Sequence, residues 1–216
     1  MKDVYRINIG SKWKLEDLYE FPYAYYQVYA FYYCFLPDQN MAHKEHLLKI
    51  FKNYKDESQY RYINIYKKFQ LHVPSNRKPD ISSIHYASPG WIDLILNPEI
   101  AFQISKSIGI FLGLSVTAAK TYSIIYKYLS DINQQRNRNK LDTFRLTRKQ
   151  NEELIAMSND IAKFIGFDDV EQIDLYTGNP EVTLKILLAH YRRLKTIGNY
   201  INDGKVSLSS NQIKNS

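Results

Sequence analysis

The residues whose spacing comes nearest to metal chemistry are two histidines in a helix predicted over residues 41–54. His43 and His46 are three residues apart, and Glu45 is adjacent to His46. A zinc-protease helix instead places its histidines four residues apart, with the glutamate directly after the first. A metal would bind here only if distant residues completed the site. We therefore predict a polar helix face at these residues and no metal site.

Other catalytic motifs are absent from the sequence. It contains no phosphate-binding glycine loop, no nucleophile elbow and no cysteine and histidine set with metal-ligand spacing. Cys34 is the single cysteine and lies in an apolar run, where a free thiol usually packs as a small hydrophobic group. One cysteine forms no intramolecular disulfide, which favours a reducing cytoplasm. We predict a non-enzymatic protein without catalytic residues or cofactors, and an enzyme built from distant residues is the open alternative.

Positive charge is concentrated in one segment. The 216 residues carry 29 Lys and Arg against 22 Asp and Glu, and residues 120–149 alone hold eight basic and two acidic side chains. A local excess of this kind indicates an anionic contact surface, or simply a solvated helix and loop. The candidate anion-binding residues, two of them from a helix predicted over 180–202, are Arg136, Arg138, Lys140, Arg145, Arg148, Lys149, Arg192 and Arg193.

Small residues recur at every fourth position in the middle of the chain: Ala101, Ser105, Gly109, Gly113, Thr117 and Thr121. Residues four apart lie on one face of an α-helix, and a face without bulky side chains lets another backbone come close. Asn97-Pro98-Glu99 is a helix start signal, and no obvious breaker follows until Asn133. We therefore predict one long helix whose small-residue face contacts a second copy or a protein partner.

The same segment raises a membrane alternative. Residues 107–119 carry no charge, and as a helix they span about 20 Å, against about 30 Å for a bilayer core. Snorkelling lysines would extend the span to residues 100–129, and the basic segment that follows would suit anionic headgroups. A buried or oligomerising helix is favoured, with a peripheral or inserted membrane protein as the alternative.

The remaining patterns predict a small sheet and aromatic helices. Alternation over Val4–Ile9 predicts a half-buried strand, and residues 81–87 and 91–96, joined by Ser88-Pro89-Gly90, predict a hairpin. Tyrosines crowd residues 13–36, where Pro22 is expected to start a second helix. One aromatic side should meet the sheet and another a partner or a further helix. Base stacking is disfavoured because residues 21–37 contain no Lys or Arg.

The hairpin also carries a resemblance. The stretch Ile84-His85-Tyr86-Ala87-Ser88-Pro89-Gly90-Trp91-Ile92-Asp93-Leu94, followed by a small-residue helix and a basic helix, resembles a recurring arrangement in uncharacterised bacterial proteins. The resemblance covers about residues 81–150 and implies a bacterial α+β domain that leads into a long helix. It brings no activity or catalytic residue with it. We interpret His85 and Asp93 as a hydrogen-bonded structural pair across the hairpin.

Together these patterns predict a mostly helical α+β fold with an antiparallel sheet of about three strands. The expected divisions are a small α+β domain over 1–98, a long helix and basic segment over 99–146, a helical subdomain over 147–205, and a disordered tail over 206–216. The predicted function is assembly of a cytoplasmic protein through the small-residue face. The alternatives are association with the cytoplasmic membrane through helix 100–129, and nucleic-acid binding through 136–149 and helix 180–202.

Overall fold

The computed structural model describes residues 4–35, 41–57, 65–138, 146–168 and 170–214. These residues form a mostly helical α+β fold with a four-stranded antiparallel sheet, which confirms the predicted fold class. One hydrophobic core extends through the described residues from Tyr5 to Val206. It contains side chains from each of the three predicted divisions 1–98, 99–146 and 147–205.

The sheet has the strand order β2-β3-β1-β4, and its strands are β1 (Val4–Ile9), β2 (Asp80–His85), β3 (Gly90–Ile95) and β4 (Val206–Lys214). Strand β1 alternates as predicted, with Tyr5, Ile7 and Ile9 buried. The disordered tail predicted over 206–216 is wrong for Val206–Lys214. Strand β4 pairs with β1, and Val206, opposite Ile9, is buried. The tail is a strand because its pairing satisfies backbone groups that β1 would otherwise leave open at a sheet edge.

The described helices, in chain order, are α1 (Asp17–Cys34), α2 (Met41–Glu57), α3 (Ile65–His72), α4 (Pro98–Gly113), α5 (Ser115–Arg138), α6 (Arg148–Ile165), α7 (Val170–Thr177) and α8 (Pro180–Asn202). Three of the predicted helix start signals are confirmed. The Asn97 and Asn179 side chains accept bonds from backbone N–H groups in the first turns of α4 and α8, and Thr147 and Gln150 form a capping box at α6. Pro22 starts no second helix and lies inside α1.

The continuous helix predicted to reach Asn133 is wrong. Helix α4 ends at Gly113, α5 begins at Ser115, and their axes differ by 88°. The Leu114 N–H bonds back to the carbonyls of Ile110 and Phe111 at 3.1 and 3.3 Å, which tightens the last turn of α4 and redirects the chain. The bend divides the small-residue series between two helices.

Helix α8 is the central helix of the described fold. It packs against α1, α4, α6 and α7, and it buries residues on most of its circumference. It lies close to α4 at Gly198, where an added Cβ would be 3.1 Å from Phe111 Cε1. Helix α4 is therefore held against α8, whereas α5, beyond the bend, contacts mainly α6.

Candidate functional site

The small-residue series does not form one surface. Ala101 is buried in the core, and the Ser105 hydroxyl lies 2.8 Å from the Tyr5 hydroxyl. Gly109 and Gly113 are exposed, and an added Cβ on either would meet none of the described atoms within 4 Å. Thr117 and Thr121 lie beyond the bend, on α5. The predicted face is therefore wrong as a continuous contact, because its two ends belong to helices that cross nearly at right angles.

A second set of small residues lies on the exposed side of α5. Ser115, Ala119 and Ser123 have the same four-residue spacing, and Val116 and Ile124 flank them with side chains that are 71% and 64% exposed. The Ser123 hydroxyl donates to the Ala119 carbonyl at 3.0 Å, so it needs no outside partner. We call the shallow hollow formed by Ser115, Val116, Ala119, Lys120, Ser123 and Ile124 the α5 trough.

The sequence already contained the signal for the α5 trough. Its four-residue spacing matches that of the predicted series but is offset by two positions. A small residue on a helix allows close approach only where its face is uncovered. The trough meets that condition, since Ala119 and Ser123 are exposed.

The charge around the α5 trough is positive. The sequence contains no Asp or Glu between Glu99 and Asp131. Lys120 and Lys127 are exposed and make no ion pair within the described ranges, whereas Lys106 on α4 pairs with Asp168 at 3.0 Å. The trough therefore combines exposed apolar groups with Lys120, which has no acidic residue within four positions on α5.

Two of the predicted anion-binding arginines are engaged inside the protein. Arg136 pairs with the buried Glu181 at 2.9 Å. The Arg193 guanidinium lies 3.6 Å from the centre of the Tyr66 ring and donates to Gln27 and Ala189. Burial lowers the pKa of Arg193. These two residues stabilise the fold, so the prediction that they form an anion-binding surface is corrected.

The other basic candidates are dispersed. Arg148 pairs with Glu152 at 2.8 Å near the α5–α6 junction, where Arg138 and Lys149 are also exposed. Arg192 instead donates to Tyr122, which lies about four turns of α5 away from Arg138. Helix α8 buries most of its surface, so it offers only a narrow outer strip. Lys140 and Arg145 lie outside the described residues.

The predicted histidine pair acquires a third member from α3. His72 Nδ1 lies 2.9 Å from His46 Nδ1, and His72 Nε2 lies 3.0 Å from His43 Nδ1. His43 Nε2 donates to the Cys34 carbonyl at 3.1 Å. One neutral tautomer of each ring satisfies all these bonds. His43 Nδ1 accepts from His72 Nε2, and His72 Nδ1 accepts from His46 Nδ1.

This histidine chain does not form a metal site. The two ring nitrogens of His72 face different partners, so the three rings have no common point for an ion, and no group of three metal-ligating side chains occurs in the described part of the chain. Burial, together with the neighbouring His43 and His46, lowers the pKa of His72 to about 4. The sequence missed His72 because α3 brings it across a separation of 26 residues.

The predicted pair of His85 and Asp93 does not form. Strand register places His85 opposite Trp91, on which its ring stacks at 4.2 Å, and places Asp93 opposite Ser83. Asp93 accepts two bonds of 2.7 Å from Arg6 and one of 2.9 Å from Ser83. A bidentate arginine fixes the carboxylate, so this cluster holds β1, β2 and β3 together.

No single described helix is long and apolar enough to cross a bilayer. Helices α4 and α5 reach that length and hydropathy only when taken together across their bend.

Comparisons of the chain with protein-family models, curated proteins and solved structures give no match.

Proposed function

We propose that this protein is a non-enzymatic assembly protein that self-associates through the α5 trough. The supporting observation is a row of small residues, in which Ala119 and Ser123 are exposed, beside the exposed apolar side chains of Val116 and Ile124. The trough replaces the series of six residues predicted from the sequence. The proposed location is the cytoplasm, because a chain with a single cysteine forms no intramolecular disulfide and suits a reducing compartment.

The geometry of the contact follows from symmetry. Two copies of α5 in antiparallel orientation about Ala119 would present the same surface to each other, as a twofold interface requires. Val116 of each copy would then pack beside Ile124 of the other across the small residues. Burial of a Val or Ile side chain contributes about 1.5–3 kcal/mol, and close helix approach adds dispersion contacts.

Sedimentation velocity tests the proposal. Val116→Lys with Ile124→Lys should reduce the sedimenting mass to that of one chain, because it removes both apolar walls of the trough. The matched control is Ile155→Lys with Leu175→Lys, which changes exposed apolar residues on α6 and α7 and should leave the mass unchanged. A wild-type protein that sediments as one chain at every concentration, or a mass insensitive to the trough variant, contradicts self-association.

A second candidate function is peripheral binding to an anionic membrane through the α5 trough. The supporting observation is the absence of acidic residues between Glu99 and Asp131, beside the exposed Val116, Ile124 and Lys120. Basic residues near a leaflet surface attract anionic lipid. Sedimentation with phosphatidylserine vesicles tests it, with phosphatidylcholine vesicles as the control. Nucleic-acid binding has less support, because Arg136 and Arg193 have internal partners.

A further inference from the structure

A half-open apolar groove of about 540 Å³ lies between α1 and the β2–β3 hairpin. The rings of Tyr19 and Tyr23 stack at 5.7 Å and form part of its helical wall. Ile81 and Ile84, both more than half exposed, line the groove from β2, and the buried Ile92 and Leu94 line it from β3. The volume falls within the range of small-molecule sites, which are mostly apolar with a few polar groups.

Two polar groups at the groove lack a described partner: the Lys78 ammonium, whose residue lines the groove, and the Tyr25 hydroxyl, which is enclosed behind its wall. The Tyr25 side chain is 3% exposed, and its hydroxyl makes no hydrogen bond in the described structure. Lys78, at the start of the hairpin, makes no ion pair to any described residue. A buried donor without an acceptor is uncommon in folded proteins, but the Tyr25 hydroxyl is enclosed and has almost no surface that a ligand in the groove would reach. Lys78 is therefore the polar group that a ligand in the groove would meet.

Both unpartnered groups are donors. Burial raises the pKa of Tyr25 well above its usual value, so its hydroxyl keeps its proton and can donate it in a hydrogen bond. Lys78 carries an ammonium group with three donors. A ligand that complements the groove therefore brings acceptor oxygens, a negative charge and an apolar body.

We propose that this groove binds a small carboxylic acid with an apolar body, held by Ile92 and Leu94 at the apolar walls and by Lys78 at the carboxylate. The site is independent of the α5 trough, which shares no residue with it. Binding in the groove and self-association are therefore tested separately.

Isothermal titration calorimetry with decanoate tests the site. Decanoate should bind the wild-type protein, decanol should bind more weakly, and decyltrimethylammonium should bind least, because Lys78 favours an anion. Lys78→Gln should weaken decanoate about three- to fivefold, as expected for loss of one partly exposed ion pair, and leave decanol unchanged. Lys78→Arg should restore decanoate binding.

Two further variants separate a binding role from a structural one. Tyr25→Phe should raise the thermal midpoint of the free protein, because it removes an unpartnered buried hydroxyl, and should leave decanoate binding unchanged, because that hydroxyl is enclosed behind the groove wall. Ile84→Glu should abolish decanoate binding by placing a like charge on the wall, whereas Ile155→Glu, an exposed position on α6, should not. The proposal is overturned if decanoate does not bind, if it binds no better than decyltrimethylammonium, or if Lys78→Gln and Ile84→Glu bind it like the wild type.

Discussion

Gly198 of α8 lies against Phe111 of α4 so closely that a Cβ added to Gly198 would be 3.1 Å from Phe111 Cε1 and 3.3 Å from Leu112 Cδ2. The fold therefore makes its close helix approach at a glycine outside the predicted series. An added Cβ on Gly109, within that series, would meet none of the described atoms within 4 Å. The two glycines occupy opposite environments on neighbouring helices.

The first prediction contrasts these glycines. Gly198→Val should lower the free energy of unfolding by about 1–3 kcal/mol, because it forces atoms into a filled space. Gly109→Ala should raise it by about 0.5–1 kcal/mol, because alanine favours the helix and has room. Urea denaturation of both variants measures the difference. Equal effects of the same sign would contradict the packing at α4 and α8.

Local signals could be read from the sequence, whereas features set by distant contacts could not. The caps at Asn97, Asn179 and Thr147 form as predicted because each depends on residues within one turn. The bend at Leu114 has a weaker local signal, Gly113 before it and Ser115 after it, and distant contacts contribute to it. Phe111, just before it, packs against Tyr191 of α8 with ring centres 5.5 Å apart, and that contact depends on the whole fold.

The same distinction applies to the candidate sites. The sequence identified His43 and His46 but not His72, which reaches them only through packing of α3 on α1 and α2. It identified an aromatic helix, but the groove requires residues from both α1 and the hairpin. It identified basic residues, but Glu181 lies 45 positions after Arg136 and pairs with it in the fold.

The second prediction concerns Glu181. This side chain is 7% exposed and pairs with Arg136 and Lys185. Burial alone would raise its pKa, but the Arg136 hydrogen bond and the Lys185 charge lower it below the usual value. Glu181→Gln should cost about 3 kcal/mol, because it removes the buried carboxylate that pairs with two partly buried cations. Chemical denaturation measures this cost.

The control for Glu181 is Glu152, whose pair with Arg148 is exposed to solvent. Glu152→Gln should change the free energy of unfolding by less than about 0.5 kcal/mol, as for most surface ion pairs. Similar costs for the two variants would show that Glu181 is not a buried counter-ion.

The third prediction is a loss of stability in weak acid from the histidine chain. An unfolded histidine takes up a proton near pH 6.5, whereas the pKa of His72 in the fold is about 4. Between these values the unfolded state binds more protons, so this contribution is fully present above about pH 6.5 and decreases as the pH falls toward 4. The expected loss is of order 1–3 kcal/mol.

Denaturation of the wild type and His72→Gln at about pH 7 and pH 5 measures this contribution. The pKa of His43 is also lowered by burial, as is that of the fully buried His190, so the variant should keep part of the pH dependence. Its decrease in stability between the two pH values should be smaller than that of the wild type. An equal decrease would mean that His72 does not titrate below its usual range in the fold.

The last prediction uses salt to distinguish self-association from membrane binding at the α5 trough. Antiparallel pairing about Ala119 would bring Lys120 of one copy near Lys120 of the other, and both charges lack an acidic neighbour on α5. Raising NaCl from about 50 to about 500 mM screens this repulsion and should tighten the dimer by about two- to fivefold. Lys120→Gln should remove most of that dependence, whereas binding to anionic vesicles should weaken with salt because its charges attract. If the dimer association constant measured by sedimentation equilibrium falls as salt is raised, pairing through this surface is contradicted and an oppositely charged partner is favoured.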